Sequence, residues 1–378
     1  MERFKSLGGL RGGSRTIGMD IDRGALKAVQ VSGGGGGYVL QHVGYHRLPP
    51  GAVVDGEVGD HDLLAAEIRE FWDSHSFGGR SVVIGVSNQQ VVVRLLEFPR
   101  MEPEDLKGAI GFEAQDHIPM PLSEAVLDYV VLGPPEEGSD LDRVLVVAAQ
   151  RGMVDRYVSA LRTGGLRPVG VDVKALSLTR SILPDPFFAE EGAVVLLDVG
   201  SEITNLVIAD GGKPVLTRFI PGGLDDFVAS VADAADLPAD EAEKQTLSPR
   251  VGLGFDHQGE GSEGTPEGGG DDFDPALVFD VRRGLEAAAQ ALADDVQRSL
   301  EHHHSQAATR DVSRVLVSGE GALIAGLDGY LGELLGVATG RGEPVAKLSA
   351  NRSNVSDEQL RAMEPVLAVA LGLALEDE

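Results

Sequence analysis

The sequence predicts a mixed α/β protein of two related lobes around a cleft, and three observations carry that prediction. The stretch IGMDIDRGALKAVQVSGGGGGYVL near the start and VLLDVGSEITNLVIADGGKPVLT near the middle share one plan: an apolar strand ending in Asp, a short polar turn, a returning strand, and a Gly turn into a third strand. Similarity at about half the chain length points to a duplicated domain rather than to a solenoid, whose periods run roughly 20–50 residues. Between and after the two units the apolar spacing switches repeatedly from strand-like to helical. Finally, 378 residues exceed one core of ordinary size.

The elements follow in order. Residues 1–15 are basic and Gly-rich; Gly8, Gly9, Gly12 and Gly13 oppose the short membrane-surface helix that Phe4, Leu7 and Leu10 could form, so a flexible tail is expected. Thr16 to Val31 reads as two strands around the turn Asp22-Arg23-Gly24, with a third strand from Tyr38 to Tyr45. Asp62 to Ser74 is helical, and Val82–Val86 and Val91–Phe98 are strands. A helix from Glu102 to His117 has Pro103 and three acids in its first turn, where negative charge suits the dipole, and stops before Pro119. Strands at 125–132 and 143–149, a helix at 153–163 stopped by Gly164-Gly165, an extended run at 166–172 and a helix at 175–182 complete the first lobe, 16–182. An extra subdomain is expected within it at about 46–149. The second lobe, 183–378, opens on strands at 193–198, 204–210 and 213–220. Residues 248–274, rich in Gly, Asp and Glu, are expected to be a disordered insertion, because so little apolar surface cannot offset the ordering entropy. A long helix over 275–306, a strand at 315–318, the turn Gly319-Glu320-Gly321, a helix at 322–335 and a small-residue helix at 364–374 returning to the first lobe follow.

Charge narrows the function. Sixty acidic against 32 basic residues give a net charge of -28, which repels a phosphate backbone and argues against nucleic acid as a partner. There is no cysteine, so disulfides, thiolate metal sites and a cysteine nucleophile are excluded. No apolar run approaches the roughly 18–20 residues of a membrane span, and the first 15 residues lack the apolar stretch of a secretory signal, so a cytoplasmic chain is expected.

Any anion must then be held locally. Two hairpins with an Asp closing each first strand suit a nucleotide triphosphate between lobes, their turns aiming N–H groups at phosphate oxygens. Asp20 and Asp198 would hold a hydrated Mg2+, which prefers one or two carboxylates plus phosphate. Ser201, Thr204 and Asn205 could add phosphate contacts, although polar turn residues need no ligand to explain them. The turn through Gly319 and Gly321 would let an adenosine approach the backbone, as would any plain strand-to-helix turn. His302 to His304 cannot converge on one ion from consecutive helical positions, and Gln150 is a weak candidate for positioning a water.

IGMDIDRGALKAVQV, VLLDVGSEITNLVI and VLVSGEGALIAGL together resemble the two phosphate hairpins and the adenosine motif of the actin-like ATPase superfamily, with its duplicated ribonuclease H-like lobes. FPRMEPEDLKGAIGFEAQDHIPMPLSEAVLDYVVL and the ending PVLAVALGLAL narrow the resemblance to the PilM family of type IV pilus assembly proteins, related to FtsA, which carries an extra subdomain of this pattern. The resemblance implies ATP and Mg2+ as cofactors. Its nucleotide-binding positions fall on Asp20, Gly24, Lys27, Asp198, Gly200, Ser201, Thr204, Asn205, Gly223, Glu241, Lys244, Gly319, Gly321 and Ala322, with Asp20 and Asp198 on the metal through water. From spacing alone, Glu241 and Lys244 equally suit a solvated ion pair on one helix face. The pattern departs from the family at Asp22 and Glu320, which stand where it favours glycine, at Ser318, and at Gly24, where it has a hydroxyl. The resemblance further implies a cytoplasmic scaffold, at most a slow ATPase, peripheral to the inner membrane. Its partner would be the cytoplasmic N-terminal segment of a PilN-like protein, with pilus motor ATPases nearby. A small-molecule kinase of the same superfold and an FtsA-like filament protein are the alternatives.

Overall fold

The computed structural model describes residues 16–34, 37–135, 138–184, 192–254, 274–305 and 310–375. In chain order the first unit is β1 (Thr16–Ile21), β2 (Ala25–Gly34) and β3 (Gly37–Arg47), then the small ribbon β4 (Val53–Val54) and β5 (Glu57–Val58), α1 (His61–Ser74) and β6 (Ser81–Val86). The extra subdomain is β7 (Val91–Pro99), α2 (Pro103–His117), β8 (Ala125–Gly133) and β9 (Leu141–Gln150). After α3 (Arg151–Thr163), β10 (Arg167–Val173) and α4 (Lys174–Ile182), the second unit runs β11 (Ala193–Val199), β12 (Ile203–Asp210), β13 (Lys213–Pro221), α5 (Leu224–Ala235), α6 (Ala239–Thr246), α7 (Pro275–His304) and β14 (Val312–Ser318). The chain closes with α8 (Leu327–Leu335), β15 (Ala338–Arg341), β16 (Leu348–Asn351), α9 (Asp357–Met363) and α10 (Ala368–Ala374).

Each lobe is built on one sheet. The first has the order β10-β6-β1-β2-β3-β16 and the second β13-β12-β11-β14-β15, so both place an antiparallel hairpin beside parallel strands. The central strands β11 and β12 are buried almost throughout, as expected of strands covered on both faces. The extra subdomain is a separate sheet, β7-β9-β8, whose core is closed by Leu106, Ile110 and Ala114 of α2. This separate sheet spans 91–150, whereas β6 pairs in parallel with β1 and belongs to the lobe's own sheet. The helix expected over 322–335 is broken: Gly326, at φ 76°, separates a short 3-10 turn at 320–323 from α8. At the edges of the expected insertion, Val251 and Leu253 are buried in the second core and Asp274 caps α7 by accepting from the Ala276 N–H. Residues 255–273 and the tail 1–15 lie outside the described residues.

The last segment ties back to the first lobe: β16 adds to β3, and α10 packs on β1, β2 and α4. This contact depends on glycine. A Cβ at Gly18 would lie 2.1 Å from the Ala370 carbonyl oxygen, and one at Gly372 would lie 1.9 Å from the Ser177 carbonyl oxygen. Gly372→Val is expected to lower stability in urea unfolding by about 2–3 kcal/mol, since the obstacle is backbone and cannot move aside. Gly108→Ala, on the open face of α2 with nothing within 4 Å, should instead gain about 0.5–1 kcal/mol.

Candidate functional site

The register places the site. β1 pairs with β2 so that Asp20 stands opposite Lys27, and β11 pairs with β12 so that Asp198 stands opposite Asn205. Asp20 and Lys27 form a buried pair at 3.3 Å, and the second Asp20 oxygen lies 2.8 Å from the Lys174 ammonium at the start of α4. Lys174 Nζ also donates to the Ile21 carbonyl at 2.8 Å, which fixes the end of the first strand. From the second lobe, Glu320 Oε1 reaches Lys27 at 3.1 Å, so one lysine joins β2 to the turn after β14.

The two hairpin turns touch. The Asp22 carboxylate accepts the Ser201 backbone N–H at 3.2 Å and the Arg23 N–H at 2.8 Å. The Ser201 hydroxyl donates to Glu320 Oε2 at 2.6 Å. A Cβ at Gly24 would lie 2.5 Å from Ser201 Oγ, and one at Gly200 would lie 2.8 Å from Asp22 Oδ2, so only glycines allow this approach. Around this contact Arg23 pairs with Glu202 at 2.8 Å and with Asp225, the Asp55 N–H donates to Glu202 at 2.8 Å, and Arg47 pairs with Glu243. Ser87, just past β6, donates to Asn205.

The predicted residues divide into groups. Asp20, Gly24, Lys27, Asp198, Gly200, Ser201 and Asn205 converge where the lobes meet. Thr204 faces elsewhere, its hydroxyl donating to the Gly222 carbonyl at 2.8 Å. Gly223 begins α5 hard against the second hairpin, since a Cβ there would lie 2.2 Å from the Gly200 carbonyl oxygen. Gly319 and Gly321 pack on Val199 rather than around an open space, at 2.5 and 2.4 Å for an added Cβ, and Ala322 is buried beside them. Glu241 and Lys244 pair with one another at 3.3 Å on the exposed face of α6. Lys174 and Ser87 were missed. Lys174 carried a signal, a basic residue at a helix start where the dipole disfavours it, amid a buried apolar run.

Electrostatics follow from burial. Desolvation, with the Asp20 charge adding to it, pushes the Asp198 carboxyl up to about 6, although Lys27 and Lys174 oppose it. Burial would raise Asp22 as well, but the charges of Lys174 and Lys27 and the N–H groups of Ser201 and Arg23 outweigh it and hold this carboxyl below its usual value. Lys27 loses charge stabilisation by burial, yet Glu320, Asp20, Asp22 and Asp198 keep it well above the ordinary lysine value. The signs give a testable profile. The Asp198 penalty is full above pH about 6 and fades as pH falls toward 3.8, whereas the Asp22 contribution is present above 3.8 and lost below it. Thermal stability should therefore rise from pH 7 to about pH 5 and fall below about pH 4. Asp198→Asn should reduce the upper limb, leaving the part due to Asp225, whose carboxyl burial also pushes up to about 6, and add about 2 kcal/mol at pH 8.

ATP and Mg2+ are what such a cleft would hold, so the donors must be tested against them. Here the Ser201 N–H and hydroxyl, which would face phosphate, are taken by Asp22 and Glu320, and Lys27 already meets three carboxylates. Asp198 Oδ2 accepts from Asn205 at 3.1 Å, and among the described residues no group of three or more acidic or His side chains is arranged to hold a metal ion. In this closed arrangement the residues do not fit a triphosphate with its ion.

Two sheets related by duplication, meeting through paired Asp-bearing hairpins, define an actin-like ATPase fold. The family described as type IV pilus assembly protein PilM matches residues 18–257 and 282–378. The chain belongs to that family and is a type IV pilus assembly protein. A structure of the PilM-PilN type IV pilus biogenesis complex is similar at 28% identity, TM-score 0.79, covering 96% of this chain and 98% of that one. The ethanolamine utilization protein EutJ from Carboxydothermus hydrogenoformans is similar at 13% identity and TM-score 0.53, over 96% and 90% of the two chains. MreB 5 of Spiroplasma citri bound to AMPPNP is similar at 12% identity and TM-score 0.50, over 95% of each, and with EutJ it supports the fold alone.

Proposed function

We propose that this chain is a cytoplasmic scaffold of the type IV pilus inner-membrane assembly complex that holds the cytoplasmic N-terminal segment of a PilN-like protein. The observation that carries this reading is the likeness, over 96% of the chain, to the protein of a PilM-PilN complex. Among the described residues no helix is long and apolar enough to cross a membrane, so attachment to the membrane would run through such a partner.

A groove of about 880 Å3 between the extra subdomain and the second lobe is the proposed seat. It is lined by Val93 and Leu95 of β7, Val215 and Leu216 of β13, and the cations Arg94 and Arg218. β7 and β13 are each the outer strand of their sheets and approach one another there, so an extended segment can add main-chain hydrogen bonds to a strand edge while apolar side chains fill the floor. The face of α2 carrying Leu106, Ile110 and Ala114 belongs to the subdomain's own core and is unavailable to a partner. The test is titration of the chain into a fluorescent peptide of the partner's cytoplasmic segment. Saturable binding supports the reading, and no binding by the folded chain rejects it.

A further inference from the structure

We infer that the nucleotide cleft is filled from within: the carboxylates of Asp22 and Glu320 stand in for phosphate, so that the two lobes close without nucleotide. In an actin-like cleft the turn of the second hairpin offers a backbone N–H and a hydroxyl to an anion. Both donors of Ser201 are used here, the N–H by Asp22 Oδ2 at 3.2 Å and the hydroxyl by Glu320 Oε2 at 2.6 Å. The cation of the site is used as well, since Lys27 lies 3.3 Å from Asp20, 3.8 Å from Asp22 and 3.1 Å from Glu320. Four carboxylates, Asp20, Asp22, Asp198 and Glu320, face two ammonium groups, Lys27 and Lys174, so an added triphosphate meets excess negative charge, with both Ser201 donors already engaged. Steric closure agrees with charge: Ser201 and Glu320 are 3% and 5% exposed, and Gly24 and Gly200 leave no more than the width of a hydrogen-bonded contact between turns. Asp22 crosses from the first lobe to the second and Glu320 from the second to the first, so each joins the lobes as a bridging phosphate would. The inference does not depend on which peptide the groove holds.

Isothermal titration of Mg·ATP into the full chain tests it. The expected result is no saturable binding up to about 1 mM, and at least roughly tenfold tighter binding by the double variant Asp22→Gly, Glu320→Gly, which frees Ser201 and Lys27. Micromolar binding by the unaltered chain, or a folded double variant that binds no better, overturns it. Hydrogen exchange of the unaltered chain supplies a readout that needs no variant. The Ser201 amide should be protected without nucleotide and unchanged by Mg·ATP, and an amide protected only when Mg·ATP is added overturns the inference equally.

Discussion

Lys27→Met is expected to destabilise the protein by about 3–5 kcal/mol in urea unfolding, the usual cost of leaving buried charge without its partner. The side chain is 2% exposed and is the cation shared by Asp20, Asp22 and Glu320, and the apolar replacement fills similar volume, so the loss is electrostatic rather than a cavity. The cost should be coupled to the carboxylates. In the double variant Lys27→Met, Glu320→Gln, one uncompensated charge is gone, and the summed single losses should exceed the double loss by about 1–3 kcal/mol. By contrast, Lys244→Ala, which breaks only exposed pairs with Glu241 and Asp240, should stay within about 0.5 kcal/mol. A Lys27→Met loss under about 1 kcal/mol would mean that water reaches the three carboxylates and that the hairpins are not sealed.

The sequence carried the strands of both lobes because their apolar alternation ends at turn residues, and both Asp-bearing hairpins were legible from the repeat. What it did not carry is pairing at a distance. That β6 sits between β10 and β1 is a parallel contact with no local signature, so the sequence does not separate this strand of the lobe's sheet from the strands that follow it. The short strands ATGR and LSAN hold few strand-forming residues and are strands only because β14 and β3 offer edges to them. At the site, Asp22 and Glu320 could be read as extra negative charge, but not as ligands of Ser201, since that bond joins residues 179 and 119 positions apart. Thr204 shows the opposite limit: its position in the hairpin suggested a ligand, whereas its hydroxyl faces the Gly222 carbonyl, a geometry that strand register decides and motif spacing does not.

Reversing the charge of the groove, with Arg94→Glu and Arg218→Glu together, is expected to weaken binding of the PilN-like segment by about 100-fold, roughly 3 kcal/mol at 1.4 kcal/mol per decade. The chain as a whole carries a net charge of -28, so a peptide with carboxylates is repelled by most of the surface and gains only where cations are concentrated. Arg94 on β7 and Arg218 on β13 line opposite walls, and α7 adds Arg298, which pairs with Asp295, and one acid, Glu301. Reversal turns local attraction into repulsion on both walls, whereas Arg94→Ala alone leaves Arg218 in place and should cost about tenfold or less. Both arginines are exposed, and Arg218 gives up only a 3.1 Å bond to Ser299, so stability should change by less than about 1 kcal/mol and a loss of binding would not be a loss of fold. The affinity of the unaltered chain should also fall as salt rises, since exposed charges are screened within about 10 Å at 0.1 M. Unchanged affinity in the double reversal, with the salt dependence retained, would place the segment on another face. The edges of β7 and β13 would then need a different occupant, because two neighbouring strand edges with apolar side chains between them are an interface that solvent fills poorly.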